Sequence, residues 1–166
     1  MICAVCGFDN LQGDDTCDNC GADLRTVDIP SPSTGLEDRL VRDHLDRIKS
    51  RAPVMVSPTT PVRAAIRTMQ EKRANALLVG DDGRLEGIFT ERDAILKLAG
   101  KALDDIDVSE VMTVDPVVLR ADDTIAVAIH KMAVGGFRHI PLVEDGRVTG
   151  IISSQDLVRH ILQLLG

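Results

Sequence analysis

The sequence predicts an α+β protein in which one β-α-β-β-α unit occurs twice, preceded by a small cysteine-rich segment that binds a metal ion. Three observations carry this prediction: an internal repeat, the spacing of four cysteines, and a succession of segments whose apolar residues have the spacing of a helix or of a strand. Repetition at a fixed spacing indicates one structural unit built twice. Because two copies are too few for a solenoid, we expect them to close on each other as a pair.

The internal repeat has an offset of 63 residues and runs without a gap. Its clearest segment is residues 87–93, Gly-Ile-Phe-Thr-Glu-Arg-Asp, which returns at residues 150–156 as Gly-Ile-Ile-Ser-Ser-Gln-Asp. The same offset relates upstream segments: Pro53-Val54 to Pro116-Val117, Ala65-Ile66 to Ala128-Ile129, Met69 to Met132, and Asp82-Gly83-Arg84 to Asp145-Gly146-Arg147.

Two Cys-x-x-Cys pairs begin the chain. Their cysteines are Cys3, Cys6, Cys17 and Cys20, and a glycine follows each pair. Four thiolates at this spacing can close a tetrahedral site, and a segment this short needs the metal in order to fold. Zinc is the expected metal and iron the alternative, since both accept four sulfur ligands. Such a site has no open position, so metal catalysis is not expected.

Two disulfides, or a redox-active pair, are the competing interpretations of these cysteines. The first residues are polar and do not resemble an export signal, which disfavours disulfides. We expect Gly7 and Gly21 to adopt positive φ angles in tight turns whose N–H groups point at sulfur.

A linker is predicted at residues 25–35, where Pro30 and Pro32 disfavour a helix. A helix is expected to begin near Thr34 and to pack on the domain that follows. Its apolar face combines residues at helical spacing: Leu36, Leu40, Val41, Leu45 and Ile48.

Each repeat is predicted to contain the same elements in the same order. A strand (residues 54–56 and 117–119) precedes a helix that starts at Thr60-Pro61 or at Asp123-Thr124. A hairpin follows, at residues 76–79 with 85–89 and at 140–143 with 148–152. A closing helix runs from Thr90 to about residue 99, and from Ser153 to the end of the chain. A helical turn is expected at residues 109–112, and His160 is expected to be solvated.

The end of each repeat places a hydroxyl three residues before a carboxylate, Thr90 with Asp93 and Ser153 with Asp156. This is the spacing of a capping box, in which both side chains hold the start of a helix. It also suits a nucleoside phosphate, because the helix N-terminus and the hydroxyl favour phosphate and a carboxylate accepts hydrogen bonds from ribose. Gly87 and Gly150, at the preceding strand ends, are consistent with close approach of a ligand.

These repeats resemble CBS domains, and the pair resembles a Bateman module. The resemblance rests on the doubled unit, Val-Met-Thr-x-x-Pro-Val at residues 111–117, Ile-Pro-Leu-Val at residues 140–143, and the Gly-x-x-[Thr/Ser]-x-x-Asp ending. It implies two α+β repeats packed about a pseudo-two-fold axis, with clefts for AMP, ADP, ATP or S-adenosylmethionine, and commonly a homodimer. Residues 1–24 resemble a zinc ribbon. The implied domains are residues 1–24, a linker at 25–35, and CBS domains at 36–103, with the leading helix, and 104–166.

The resemblance implies that Asp93 and Asp156 hold ribose and that Thr90 and Ser153 lie near phosphate. The second repeat offers further candidate ligand contacts in Arg138, His139 and Ile140. The first repeat has Asn75, Ala76 and Leu77 at those places, and Arg92 is the cation expected to compensate there. We therefore expect the second site to bind more readily, with Gly150 at its edge and Gly87 at the edge of the first.

Composition and charge exclude several functional classes. Hydrophobic residues make up 44% and aromatic residues 2%, so the core is aliphatic. Residues 1–46 carry ten acidic side chains and three arginines, which is the wrong sign for binding nucleic acid. No apolar run approaches the roughly 18 residues that cross a bilayer. We expect a soluble, cytoplasmic protein.

Two functions compete for this sequence. The first is a regulatory module that senses an adenosine-containing ligand and signals in trans to an effector protein whose identity the sequence does not reveal. The second is a non-catalytic dimeric adaptor whose acidic ribbon is the protein-interaction surface. An enzyme is not expected, because neither a phosphate-binding loop of the Walker type nor a nucleophile elbow is present.

Overall fold

A computed structural model of the chain describes residues 2–3, 5–10, 14–24, 35–98, 103 and 105–165. The predicted linker and Thr34 lie outside these residues, apart from Gly35. Within the described residues the helices are α1 (Gly35–Arg42), α2 (Val62–Lys72), α3 (Glu91–Leu98), α4 (Ile125–Gly135) and α5 (Ser154–Leu165). The strands are β1 (Met55–Val56), β2 (Ala76–Val79), β3 (Gly87–Thr90), β4 (Thr113–Val114), β5 (His139–Glu144) and β6 (Arg147–Ser153).

The predicted α+β class is confirmed, and the first repeat follows the predicted β-α-β-β-α order. In the second repeat the predicted strand at residues 117–119 is wrong. That segment makes a single parallel bridge, between Leu119 and Leu142, and strand β4 forms earlier instead. Pro116 has no N–H to donate to a ladder, so a regular strand does not continue from it into residues 117–119.

The two repeat helices begin within one residue of their predicted starts. Thr124 is the N-cap of α4, and its hydroxyl accepts a hydrogen bond from the Val127 N–H at 3.3 Å. Pro61 is the N-cap of α2 rather than its first helical residue, so its prediction is wrong by one position. The predicted turn before the second repeat is a 3-10 turn at Val108–Glu110.

The chain divides into two compact units, each formed from separate segments. The first contains Met1–Lys49, Arg120–Ile140 and Ser153–Gly166, and the second contains Ser50–Leu119 and Pro141–Ile152. The second unit holds a four-stranded sheet in the order β1-β2-β3-β4. Strands β1 and β2 are parallel and the other neighbours antiparallel. One core of this unit consists of Val62, Ala65, Met69, Leu77, Val79, Phe89, Leu98, Val108 and Val111.

The first unit is built on α4, which contacts both α1 and α5. The segment after α1 is tied to the start of α4, because the Leu45 N–H donates to the Asp123 carbonyl at 2.9 Å. The predicted domain division places α1 with the first repeat, yet these contacts are with helices of the second. Leu45 and Ile48 are buried as the apolar face predicts, although both lie beyond the end of α1.

One histidine departs from its prediction. The His160 side chain is 13% exposed, and its Nε2 lies 3.6 Å from Oδ2 of Asp43. The expectation of a solvated residue is therefore wrong, because α5 turns this side chain toward the segment that follows α1. No described helix has the length and the apolar composition that crossing a membrane requires.

Candidate functional site

The four cysteines converge in the N-terminal segment. Their sulfur atoms all lie within 4.8 Å of one another. The sulfurs of Cys3 and Cys20 are 3.7 Å apart and those of Cys6 and Cys17 are 3.5 Å apart. A tetrahedral zinc site with Zn–S bonds of about 2.3 Å has sulfurs about 3.8 Å apart. The donor set and its spacing therefore fit a zinc ribbon.

Two matching turns position these sulfurs. The Gly7 N–H donates to the Cys3 carbonyl at 2.9 Å, and the Gly21 N–H donates to the Cys17 carbonyl at 2.8 Å. The φ angles are +73° at Gly7 and +70° at Gly21, which confirms the prediction for both glycines. Cys3 and Cys17 are buried, whereas Cys6 and Cys20 are exposed.

An asparagine that the sequence motifs do not predict joins the two turns. Asn10 is 5% exposed. Its side-chain amide donates to the Phe8 carbonyl at 3.1 Å and its oxygen accepts from the Asp18 N–H at 3.0 Å. No motif in the sequence predicts this residue, because its hydrogen bonds form only when the two turns come together.

The thiols of this cluster differ in acidity. Hydrogen bonds from the Asn19 side chain and the Phe8 N–H lower the pKa of Cys6 to about 6. The Ala22 N–H lowers the pKa of Cys20, but the neighbouring Cys6 and burial outweigh it and raise that pKa to about 12. Adjacent thiols resist a second negative charge, and a bound cation removes this resistance.

The first hydroxyl–carboxylate pair forms a closed capping box at the start of α3. Oδ2 of Asp93 accepts from the Thr90 hydroxyl at 2.6 Å and from the Thr90 N–H at 2.9 Å. The Asp93 N–H donates back to the Thr90 hydroxyl at 3.3 Å. Oδ1 of Asp93 lies 2.7 Å from Nζ of Lys97, which also donates to the Val111 carbonyl.

The second pair repeats this geometry at the start of α5. Oδ2 of Asp156 accepts from the Ser153 hydroxyl at 2.6 Å and from the Ser153 N–H at 3.0 Å. Nη1 of Arg159 donates to Oδ1 of Asp156 at 3.0 Å. Asp156 is 3% exposed, whereas the Arg159 side chain is 60% exposed. Lys97 and Arg159 are not among the predicted site residues, although their spacing of four and three residues after the aspartates is that of ion pairs on one helix.

The prediction that Gly87 and Gly150 end strands is wrong, because Gly87 is the first residue of β3 and Gly150 lies within β6. Both glycines have close neighbours within the chain. A Cβ on Gly87 would lie 2.4 Å from the Met112 sulfur and 2.9 Å from the Thr113 carbonyl oxygen. A Cβ on Gly150 would lie 3.0 Å from Oγ of Ser50. The approach of Met112 and of the Thr113 backbone therefore accounts for glycine at position 87 without a ligand, whereas a Cβ on Gly150 would meet only side-chain atoms.

Of the remaining candidates in the second repeat, Arg138 is hydrogen-bonded through its backbone to the residue that follows Ser153. Its carbonyl accepts from the Ser154 N–H at 2.9 Å, one residue after Ser153. The Arg138 side chain is exposed and His139, the first residue of β5, is half-buried. Ile140 is fully buried in the core. In the first repeat, Arg92 is exposed one residue before Asp93. Ligand contacts by these residues stay predictions.

Comparison with known families decides what these repeats are. Residues 41–100 and 108–163 each match the CBS domain. The chain belongs to the CBS domain family. Both capping boxes fall within the matched residues, at the end of each CBS domain, whereas the ribbon precedes the first match.

The CBS part of the chain has relatives in plants and among solved bacterial structures. It is 37% identical over 109 residues to CBS domain-containing protein CBSCBSPB5 of Arabidopsis thaliana. That match covers 64% of this chain and 20% of the plant protein, so the chain spans about a fifth of that relative's length. The CBS-domain containing protein ATU1752 of Agrobacterium tumefaciens is 35% identical, with a TM-score of 0.67 over 71% of this chain and 98% of that one.

A third similar structure contains ligands. It is the CBS domain pair of protein MJ0100 in complex with 5'-methylthioadenosine and S-adenosyl-L-methionine. It is 25% identical to this chain, with a TM-score of 0.67 over 74% of this chain and 98% of that one.

Proposed function

We propose that this chain is a regulatory module that binds an adenosine-containing ligand, AMP, ADP, ATP or S-adenosylmethionine, and signals its presence to an effector protein in trans. CBS pairs are regulatory modules for adenosine ligands, and one similar pair binds two such molecules. The observation that carries the proposal here is the buried Asp156, held at a helix N-terminus by Ser153.

The capping box prepares this carboxylate for a ligand. Oδ2 is used internally, by the hydroxyl and the N–H of Ser153. Oδ1 faces Arg159, whose side chain is mostly exposed and is free to rearrange at little cost. A carboxylate oxygen accepts more than one hydrogen bond, so Oδ1 can also accept from ribose hydroxyls. Because the box fixes the side chain in advance, the ligand loses little free energy in ordering it.

The second repeat is the stronger candidate for phosphate as well. Arg138 is linked to the box through the backbone of Ser154, and its exposed guanidinium suits a phosphate group. The corresponding residue of the first repeat is the neutral Asn75. We therefore assign the ribose to Asp156 and the phosphate to Arg138, and the weaker site to Thr90, Asp93 and Arg92. The Ser153 hydroxyl lies near the phosphate in this proposal, but it donates its proton to Asp156 and would have to turn away from that carboxylate to bind phosphate.

Calorimetric titration with AMP, ATP and S-adenosylmethionine tests this function. We expect Asp156→Ala to weaken binding about 10- to 150-fold, because charge-assisted hydrogen bonds contribute about 1.5–3 kcal/mol. Asp93→Ala opens the equivalent box in the other repeat, so we expect it to weaken only the weaker of the two binding steps and to leave the stronger one unchanged. Unfolding measured in parallel separates binding from stability. Absence of binding by the unmutated protein at millimolar ligand overturns the proposal.

We also propose that the chain forms a homodimer through α5. Val158, Leu162 and Leu165 are spaced to share one helical face, and they are 56%, 63% and 62% exposed. In the first repeat, Ile95 on α3 corresponds to Val158 and is 72% exposed. Apolar stripes of this kind indicate an association surface, and a second copy of the chain supplies the same stripe.

A dimeric adaptor is the second candidate function. On the ribbon, Ile2, Val5 and Phe8 are 68%, 76% and 44% exposed. Five aspartates lie among its described residues: Asp9, Asp14, Asp15, Asp18 and Asp23. An apolar and acidic surface suits a partner with basic and apolar side chains. This function becomes the leading one if the titrations find no ligand.

A further inference from the structure

A buried lysine on α4 meets the ribbon. Lys131 is 6% exposed and forms an ion pair with Asp15, whose side chain is 52% exposed. Lysine is almost never buried to this degree unless it is paired, because removing the ammonium from water is costly. Asp15 lies two residues before Cys17, so a CBS helix and the metal segment share this contact.

The first repeat has no lysine at the position that corresponds to Lys131. The residue 63 positions earlier is Thr68 on α2, whose hydroxyl donates to the Ala64 carbonyl of its own helix. Val127, one turn before Lys131, is also buried, whereas its counterpart Ala64 is exposed. Helix α4 therefore buries a stripe, formed by Val127 and Lys131, that α2 does not bury. The contact of Lys131 with Asp15 shows that the ribbon reaches that stripe.

The position of Asp15 depends on the fold of the ribbon. The Asp15 carbonyl accepts from the Leu24 N–H at 2.8 Å, and Thr16 bridges to Asp23. The buried cluster beneath these contacts consists of Cys3, Cys17 and Leu24. A core this small does not stabilise a folded segment without a bound metal. We therefore expect metal bound by the four cysteines to determine whether Asp15 stays opposite Lys131.

The far end of α4 leads to the candidate ligand site. Gly136 caps the helix in a left-handed conformation, with φ +66°, and Arg138 follows two residues later. The Arg138 carbonyl accepts from Ser154, the residue next to the box of Ser153 and Asp156. Helix α4 also packs on α5, which the box begins.

We propose that metal bound in the ribbon and ligand bound at the Ser153–Asp156 box stabilise each other through the Asp15–Lys131 ion pair. This inference rests on the proposed function. The ribbon has two states, folded with its metal and unfolded without it. In the folded state Asp15 pairs with Lys131 and thereby stabilises the position of α4. By linkage, metal strengthens ligand binding by the same factor by which the ligand strengthens metal binding.

The test compares the full chain with zinc and after chelation, titrated with AMP, ATP and S-adenosylmethionine. Chelation is expected to weaken binding on the order of tenfold, a factor usual for coupled sites. Asp15→Asn is expected to weaken binding similarly with zinc present. Asp18→Asn is the matched control, because it removes the same charge beside the same cysteine and should leave the affinity unchanged. Lys131→Met should make the affinity insensitive to chelation.

The outcomes that would contradict the coupling differ from the one that would contradict the proposed function. If the zinc-loaded protein binds a ligand but chelation and Asp15→Asn change its affinity less than about twofold, the coupling is absent. Equal losses for Asp15→Asn and Asp18→Asn also overturn it, since charge alone would then suffice. If the zinc-loaded protein binds no ligand, the proposed function fails instead. Hydrogen exchange of the amides of Ile125–Gly135 then tests only whether the ribbon stabilises α4. If their exchange rate does not rise on chelation, the ribbon does not stabilise this helix.

Discussion

The Ser153 hydroxyl lies 2.6 Å from Oδ2 of Asp156, and the Thr90 hydroxyl lies at the same distance from Oδ2 of Asp93. One hydrogen-bonded motif thus starts the closing helix of both CBS domains. Its carboxylates are buried, at 3% exposure for Asp156 and 8% for Asp93. The motif stabilises a helix N-terminus whether or not a ligand is present, and this makes stability and binding separately measurable.

Ser153→Ala removes the hydroxyl that both donates to and accepts from Asp156. We expect the free energy of unfolding to fall by about 1–2 kcal/mol, the usual loss for an N-cap. Chemical denaturation measures this change. Ser154→Ala, one residue later, is the control, because only its backbone N–H has a described partner in this motif. Equal losses for both variants would contradict the capping geometry.

Gly87→Ala places a Cβ against Met112 and the backbone of Thr113. Because a carbonyl oxygen 2.9 Å away cannot move without moving its strand, we expect a loss of about 1–3 kcal/mol in unfolding free energy. In Gly150→Ala the Cβ meets the Ser50 side chain at 3.0 Å and the Leu142 side chain at 3.6 Å, and because side chains yield more easily than backbone we expect a loss of less than about 1 kcal/mol. Thermal or chemical denaturation of the two variants compares them directly, and a reversed order would refute this explanation of the glycines.

Metal removal should make the thiols of the ribbon reactive without an order among them. The contacts that set the pKa of Cys6 at about 6 and that of Cys20 at about 12 exist only in the folded ribbon. Because the ribbon unfolds without metal, we expect alkylation after chelation to label Cys6 and Cys20 at similar rates, and the labelling of both to slow as the pH falls below the ordinary thiol pKa of about 8.5. Peptide mass spectrometry follows the labelling. Thiols that react only after a disulfide reductant is added would indicate disulfides instead.

Leu162→Glu places a charge within the exposed stripe of α5. Burying that charge against a second copy is costly, so we expect a dimer to dissociate to monomers at micromolar concentration. Light scattering coupled to size exclusion measures the molecular mass. Gln163→Glu adds the same charge at an exposed position outside the stripe and should leave the dimer intact. An unmutated protein that is already monomeric would end the proposal.

The local part of the fold was predictable because its signals lie within short segments. Thr124 and the apolar spacing after it predict α4, and the turn signal Asp145-Gly146 predicts the β5–β6 hairpin, where both residues have positive φ. The strand predicted at residues 117–119 failed because a strand also needs a partner. Val114 pairs with Gly87 in β3, whereas the later segment makes only the isolated bridge between Leu119 and Leu142.

By itself, the sequence determined the doubled unit, the four-cysteine site and the two hydroxyl–carboxylate boxes, since all three depend on residue type and on spacing along one segment. Only the tertiary structure decided that Met112 occupies the space beside Gly87, that α1 packs on α4, and that Asp15 meets Lys131. These contacts join segments far apart in the chain. No periodicity within a segment specifies which distant surface will cover it, because burial and charge pairing are settled only when the segments meet.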